Sequence, residues 1–182
     1  WSSECGENAG VVTLPHTDIA CGTDLVGRAL RQSDGWLVVS SSGTDNYRDC
    51  HDDNYLPTDL VLTRVAWGPP DEVTWTIERV ATQRGDTPIL DLRLATAAGR
   101  TYVLVQHFWN SASLELSRID ADLTIEDPIE IGPAGWFGMD IAALEDGILI
   151  AYPDAEDGAL VDVELFDLEL KRVARSTVQA SG

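Results

Sequence analysis

A unit of short strands and tight turns that recurs along the chain constrains its fold more than any other feature. The turn residues Asp120 and Asp167 lie 47 residues apart inside similar pairs of strands, and the turn glycines Gly99 and Gly147 lie 48 residues apart. Apolar and polar residues alternate within these strands, which is the pattern of a strand with one buried face. A period of this length indicates stacked copies of one supersecondary unit.

A third, longer unit precedes these two. Its turn glycine, Gly35, lies 64 residues before Gly99, and the additional residues correspond to a polar insert from Gly43 to Pro57. The predicted repeat units cover residues of about 24–82, 89–132 and 138–178, within one all-β domain that spans residues 1–182. Each unit holds four short strands, and helical periodicity is almost absent.

Four antiparallel strands in about 40 to 50 residues are typical of a β-propeller blade. From about Val11 to Val178 the chain resembles the degenerate blade repeats of bacterial secreted proteins, although it carries no WD, kelch or Asp-box motif. The resemblance implies about three four-stranded blades, preceded by an orphan outer strand that starts at Val11. The alternative is a β-sandwich.

Three blades are too few to encircle an axis, because propellers close with about four to eight blades. The resemblance therefore implies a larger ring, which a second chain or another copy of this chain completes. The sequence starts at Trp1 without an initiator methionine, so the N-terminus is expected to be processed, cleaved or an engineered boundary.

The charge balance excludes several kinds of partner. Thirty-one acidic residues face twelve basic ones, giving a formal charge of −19 and a pI near 4.2. Such a field repels phosphate backbones and anionic membrane surfaces, so neither nucleic acid nor an anionic membrane is an expected partner. No apolar run is long enough to span a bilayer, so no membrane insertion is expected.

Three cysteines, Cys5, Cys21 and Cys50, indicate an oxidising compartment, because none of them forms a C-x-x-C pair. We expect a disulfide between Cys21 and Cys50, with Cys5 as the alternative partner. The expected location is secreted, periplasmic or on the surface of a bacterial cell.

Loop residues provide a candidate metal site. In the blade scheme the loops that carry His16, His51 and His107 fall on one face of the propeller, and histidine is the commonest metal ligand. Calcium or a transition metal is the candidate cofactor, since the insert adds the carboxylate oxygens that calcium prefers. The acidic candidates of the insert are Asp45, Asp49, Asp52 and Asp53. Their spacing does not match an EF-hand, so a solvated acidic loop is the alternative.

The candidate ligand-binding residues share that predicted face and are Trp109, Asn110, Trp136, Tyr152 and Asp154. The tryptophans can stack on a sugar ring, and packing within the blades is the alternative. The leading functional hypothesis is a secreted or cell-surface binding module with a loop-rich acidic ligand face, because the common catalytic motifs are absent. The alternatives are a metal-dependent enzyme or metal-binding protein that uses the loop histidines, and a structural subunit of a multichain assembly.

Overall fold

The computed structural model describes residues 27–43, 58–67, 75–83, 89–109, 111–135 and 138–179. These residues form strands and turns without a helix, so the prediction of an all-β chain is confirmed. The strands are β1 (Gly27–Gln32), β2 (Gly35–Gly43), β3 (Thr58–Trp67), β4 (Trp75–Gln83), β5 (Ile89–Ala97), β6 (Arg100–Trp109), β7 (Ser111–Ile119), β8 (Ile129–Ala134), β9 (Asp140–Ala143), β10 (Gly147–Pro153), β11 (Leu160–Asp167) and β12 (Arg172–Gln179).

The strands form three separate four-stranded sheets, each built from strands that are consecutive in the chain. Sheet A contains β1 to β4, sheet B contains β5 to β8, and sheet C contains β9 to β12. All neighbouring strands are antiparallel, so every sheet is a meander. None of the three sheets closes on itself.

Two turns of identical construction end the third strand of sheets B and C. After β7 the Asp120 amide donates to the Thr124 carbonyl, and after β11 the Asp167 amide donates to Lys171 at 3.0 Å. The fourth residue of each turn is a leucine with positive φ, 64° at Leu123 and 61° at Leu170. A left-handed residue after a type I turn gives a hairpin loop whose twist matches that of the strands.

The sheets stack in chain order, with sheet B in the middle. Strand β6 turns alternate side chains to its two neighbours, as the pleat requires. Val103 and Val105 belong to the core between sheets A and B, whereas Tyr102 and Leu104 belong to the core between sheets B and C. The first strands of the sheets lie side by side, since β5 contacts both β1 and β9.

The proposed orphan strand at Val11 lies outside the residues that the structure describes. In the described part of the chain there is no helix long and apolar enough to cross a membrane.

Candidate functional site

Most of the sequence-predicted site residues lie outside the described residues. They are His16, Cys21, Asp45, Asp49, Cys50, His51, Asp52, Asp53, Asn110 and Trp136. The metal site, the disulfide and most of the ligand face therefore stay predictions. Within the described ranges no three His, Cys, Asp or Glu side chains are grouped to hold a metal ion.

His107 lies within strand β6, where it pairs with Ser113, and not in the loop after that strand. The sequence placed it in a loop, but the ladder continues past it to the pair of Trp109 and Ser111. The His107 side chain is 12% exposed, and its Nε2 lies 3.0 Å from Glu115 Oε2. This hydrogen bond is the main reason why the pKa of Glu115 is lowered.

The structure places two of the ligand-binding candidates in different surroundings. Tyr152 is 1% exposed and packs in the core between sheets B and C, so its ring has no exposed face for stacking. Asp154 follows β10, and its Oδ1 accepts hydrogen bonds of 2.8 Å from the amides of Glu156 and Asp157. These hydrogen bonds stabilise the turn between β10 and β11. Trp109 is the last residue of β6.

Sequence reasoning missed a buried polar cluster on the side of sheet C that faces sheet B. Glu164 is fully buried and Asp162 is 2% exposed, although both belong to β11. The Tyr152 hydroxyl donates to Glu164 Oε1 at 2.7 Å. Arg172 Nε lies 2.5 Å from Glu164 Oε2, an ionic contact without the alignment of a hydrogen bond. Buried carboxylates need such partners, because desolvation of an unpaired charge costs several kcal/mol.

Asp162 has its own partners on the neighbouring strand β12. Its carboxylate accepts hydrogen bonds from Thr177 at 2.6 Å and from Arg175 at 2.7 Å. Burial raises the pKa of Asp162, but these hydrogen bonds and the Arg175 charge lower it more, so the net shift is downward. Both carboxylates thus lie against arginines of the outer strand β12. Arg172 also donates to the Ile131 carbonyl of sheet B at 3.1 Å, which joins the two outer strands.

Replacing Tyr152 with phenylalanine should reduce the loss of unfolding free energy that occurs at alkaline pH. Burial first, and the Glu164 hydrogen bond second, raise the pKa of Tyr152. A group whose pKa is higher in the folded state contributes full stability below its unfolded pKa, about 10 for tyrosine, and loses it as the pH rises further. Urea unfolding between neutral and strongly alkaline pH measures this slope. If the free energy of unfolding falls equally with alkaline pH in both proteins, the raised pKa of Tyr152 is contradicted.

Ion pairs join sheets B and C at the end opposite the β6–β7 hairpin. Arg118 on β7 contacts Glu126 of its own sheet at 2.6 Å and Glu169 of sheet C at 3.1 Å. Arg100 contacts the same Glu169 carboxylate. The Tyr102 hydroxyl donates to the Leu168 carbonyl at 3.0 Å.

The opposite side of sheet C is an apolar face that we call the open face. It contains Ala142, Leu149, Ala151, Val161, Val163, Leu165, Ala174, Ser176 and Val178, by strand alternation and register. None of these nine residues is fully buried, and Val178 is 47% exposed. Asp140, opposite Ala151, is the charged residue of this face among those described.

The open face corresponds to buried faces in the other two sheets. Counted along the chain, its central residues lie 47 positions after residues of sheet B that are 0% exposed against sheet C. The pairs are Tyr102 and Leu149, Leu104 and Ala151, Leu114 and Val161, and Leu116 and Val163. Sheet A buries the matching residues Leu37, Val39, Leu60 and Leu62 against sheet B. The 47-residue spacing identifies the residues of this face from the sequence. It does not show that the face is exposed.

Fold and surface together define an all-β protein of three stacked antiparallel sheets with one partly exposed apolar face. No family model, no curated protein and no solved structure matches the chain.

Proposed function

We propose that this chain is a non-catalytic interaction module, made of β-propeller blades, whose open face docks a further blade. One observation carries the proposal: sheets A and B each bury this face against the next sheet, and sheet C leaves it uncovered. Exposed apolar patches of this kind mark sites of protein association.

The strand connections favour blades over a sandwich. A sandwich usually links its two sheets by Greek-key crossings. Here every sheet is completed before the next begins, and the first strands lie side by side as inner strands around an axis do. Radial repetition of four-stranded meanders is the propeller plan.

The occupant that the open face fits is another aliphatic sheet face. Sheet A of a second copy is a poorer candidate, because strand β3 is already buried on the side away from sheet B. Val61 and Val65 on that side are 5% and 4% exposed. In a solution of the purified chain, the available partner is therefore the open face of a second copy.

Charging the centre of the open face should abolish self-association. Val163→Lys places an ammonium where two apolar faces meet, and burying an unpaired charge is strongly unfavourable. We expect the unmodified chain to form a reversible dimer and the Val163→Lys variant to remain at 19.8 kDa. Sedimentation velocity across a concentration series measures this.

Ala155→Lys is the matched control, because Ala155 is exposed in the turn between β10 and β11 and lies outside the open face. It should dimerise like the unmodified chain. A protein that stays monomeric at every concentration, or equal dimerisation of both lysine variants, would refute docking through the open face.

The wider role that we propose is a secreted or cell-surface binding module. The acidic surface charge and the cysteines of the N-terminal third support that location. The blades would hold their connecting loops at one end, as rigid scaffolds commonly do for binding loops.

A further inference from the structure

A polar groove of about 530 Å³ lies between the ends of sheets A and B. Its walls are residues 31–34 at the β1–β2 turn, which include Arg31, together with Arg64, Thr96, Gly99, Thr101 and Ala121. Its volume is within the range of about 300 to 1,000 Å³ that is typical of small-molecule sites. The groove is at the hairpin end of the sheets, away from the loops that the sequence predicted to bind ligand.

The equivalent space between sheets B and C is filled. Position 148, which matches Thr101 by the 47-residue shift, is Ile148 with 0% exposure. Position 168, which matches Ala121, is Leu168, packed against the same core. Smaller and more polar residues therefore open the groove between sheets A and B.

Arg64 is one of two arginines that line the groove, and Arg31 is the other. It pairs with Leu37 across the ladder as Arg118 pairs with Tyr102, so the two arginines hold equivalent positions in sheets A and B. Arg118 binds two carboxylates, of Glu126 and Glu169, at 2.6 and 3.1 Å. Arg64 donates to the Ala121 carbonyl at 2.7 Å, and no carboxylate of the described residues is paired with it.

Arg31, the other basic residue of the lining, also has no ion pair with a carboxylate among the described residues. The guanidinium has five donors in a fork that binds a carboxylate through two parallel hydrogen bonds. The interface between sheets B and C shows two arginines holding one carboxylate, since Glu169 there lies between Arg118 and Arg100.

We propose that the groove binds a hydroxylated carboxylate of about sugar-acid size. The ligand carboxylate binds the guanidinium of Arg64, and Arg31 is the second basic residue of the lining. The hydroxyls of Ser33, Thr96 and Thr101, the Gln32 amide and the Asp34 carboxylate supply partners for the ligand's hydroxyl groups. The site is independent of the open face of sheet C, so either proposal can fail alone.

The test is titration of the ¹⁵N-labelled chain with glucuronate, with glucose as the uncharged comparison. We expect saturable amide shifts at residues 32–34 and 96–101 with glucuronate, and at least about tenfold weaker binding of glucose. Arg64→Gln should weaken glucuronate binding about tenfold or more, because a charge-assisted hydrogen bond is lost.

Two further variants separate binding from folding. Ala121→Leu installs the residue type found at position 168 and should block the groove while leaving Arg64 in place. Lys171→Gln removes one positive charge from an exposed turn of sheet C and should leave binding unchanged. The proposal is overturned by equal binding of glucose, by no saturable shift, or by unchanged affinity in both Arg64→Gln and Ala121→Leu.

Discussion

Gly147→Ala is expected to lower the free energy of unfolding by about 2–3 kcal/mol, because it overpacks a closed β-ladder. A Cβ at this position would lie 2.3 Å from the Phe166 carbonyl oxygen. Gly147 is buried at the start of β10 and pairs with Asp167. The contact atom belongs to the backbone, so relief would require β10 and β11 to separate at the tight turn. Chemical denaturation with an unchanged m-value would measure the loss.

Gly158→Ala is the matched control for this prediction. A Cβ at Gly158 meets nothing within 4 Å, and the residue is exposed in the turn before β11. Its effect should stay within about 0.5 kcal/mol, as is usual for surface changes. Equal stability of the two alanine variants would show that the β10–β11 hairpin does not pack as described.

Glu164→Ala is expected to cost about 3 kcal/mol, because it breaks a buried ionic cluster from its centre. The change leaves the Tyr152 hydroxyl without its acceptor and leaves Arg172 without the carboxylate that it contacts at 2.5 Å. Arg172 is 42% exposed on its side chain, so water offsets part of the loss and the lower end of the usual range applies.

A double-mutant cycle tests whether the loss comes from the pair. Arg172→Ala strands the Glu164 charge in a site that is 0% exposed, with Arg175 Nε as the nearest remaining cation at 3.6 Å. Removing both partners should cost less than the sum of the single changes, by about 1–3 kcal/mol. Strict additivity would mean that the two side chains contribute separately. Glu156→Ala, on an exposed turn, is the control and should be near neutral.

Much of the fold could be predicted because its signals are local. Alternation of apolar and polar residues reports strands, and turn chemistry reports their ends. The equivalence of Asp120 and Asp167 follows from the sequence, and the structure builds the same hydrogen-bonded turn at both positions.

The site was less predictable, for reasons that concern single residues. Tyr152 was expected at a ligand face, but the alternation of β10 turns it into the core, where Glu164 accepts its hydroxyl. Glu164 and Asp162 look in the sequence like the polar side of an amphipathic strand. They are instead on the buried side, since arginines from β12 compensate their charges.

The sequence by itself determined that this chain forms short antiparallel strands in repeated units, because strand period and turn preference depend on neighbours a few residues apart. Only the tertiary structure decided which side of each strand is covered. Sheets A, B and C carry similar apolar faces, yet stacking buries those of sheets A and B and leaves that of sheet C partly exposed. The same stacking opens a groove beside Arg64 and fills its counterpart beside Arg118. Burial arises from contacts between residues far apart in the chain, and local pattern carries no information about which partner sheet is present.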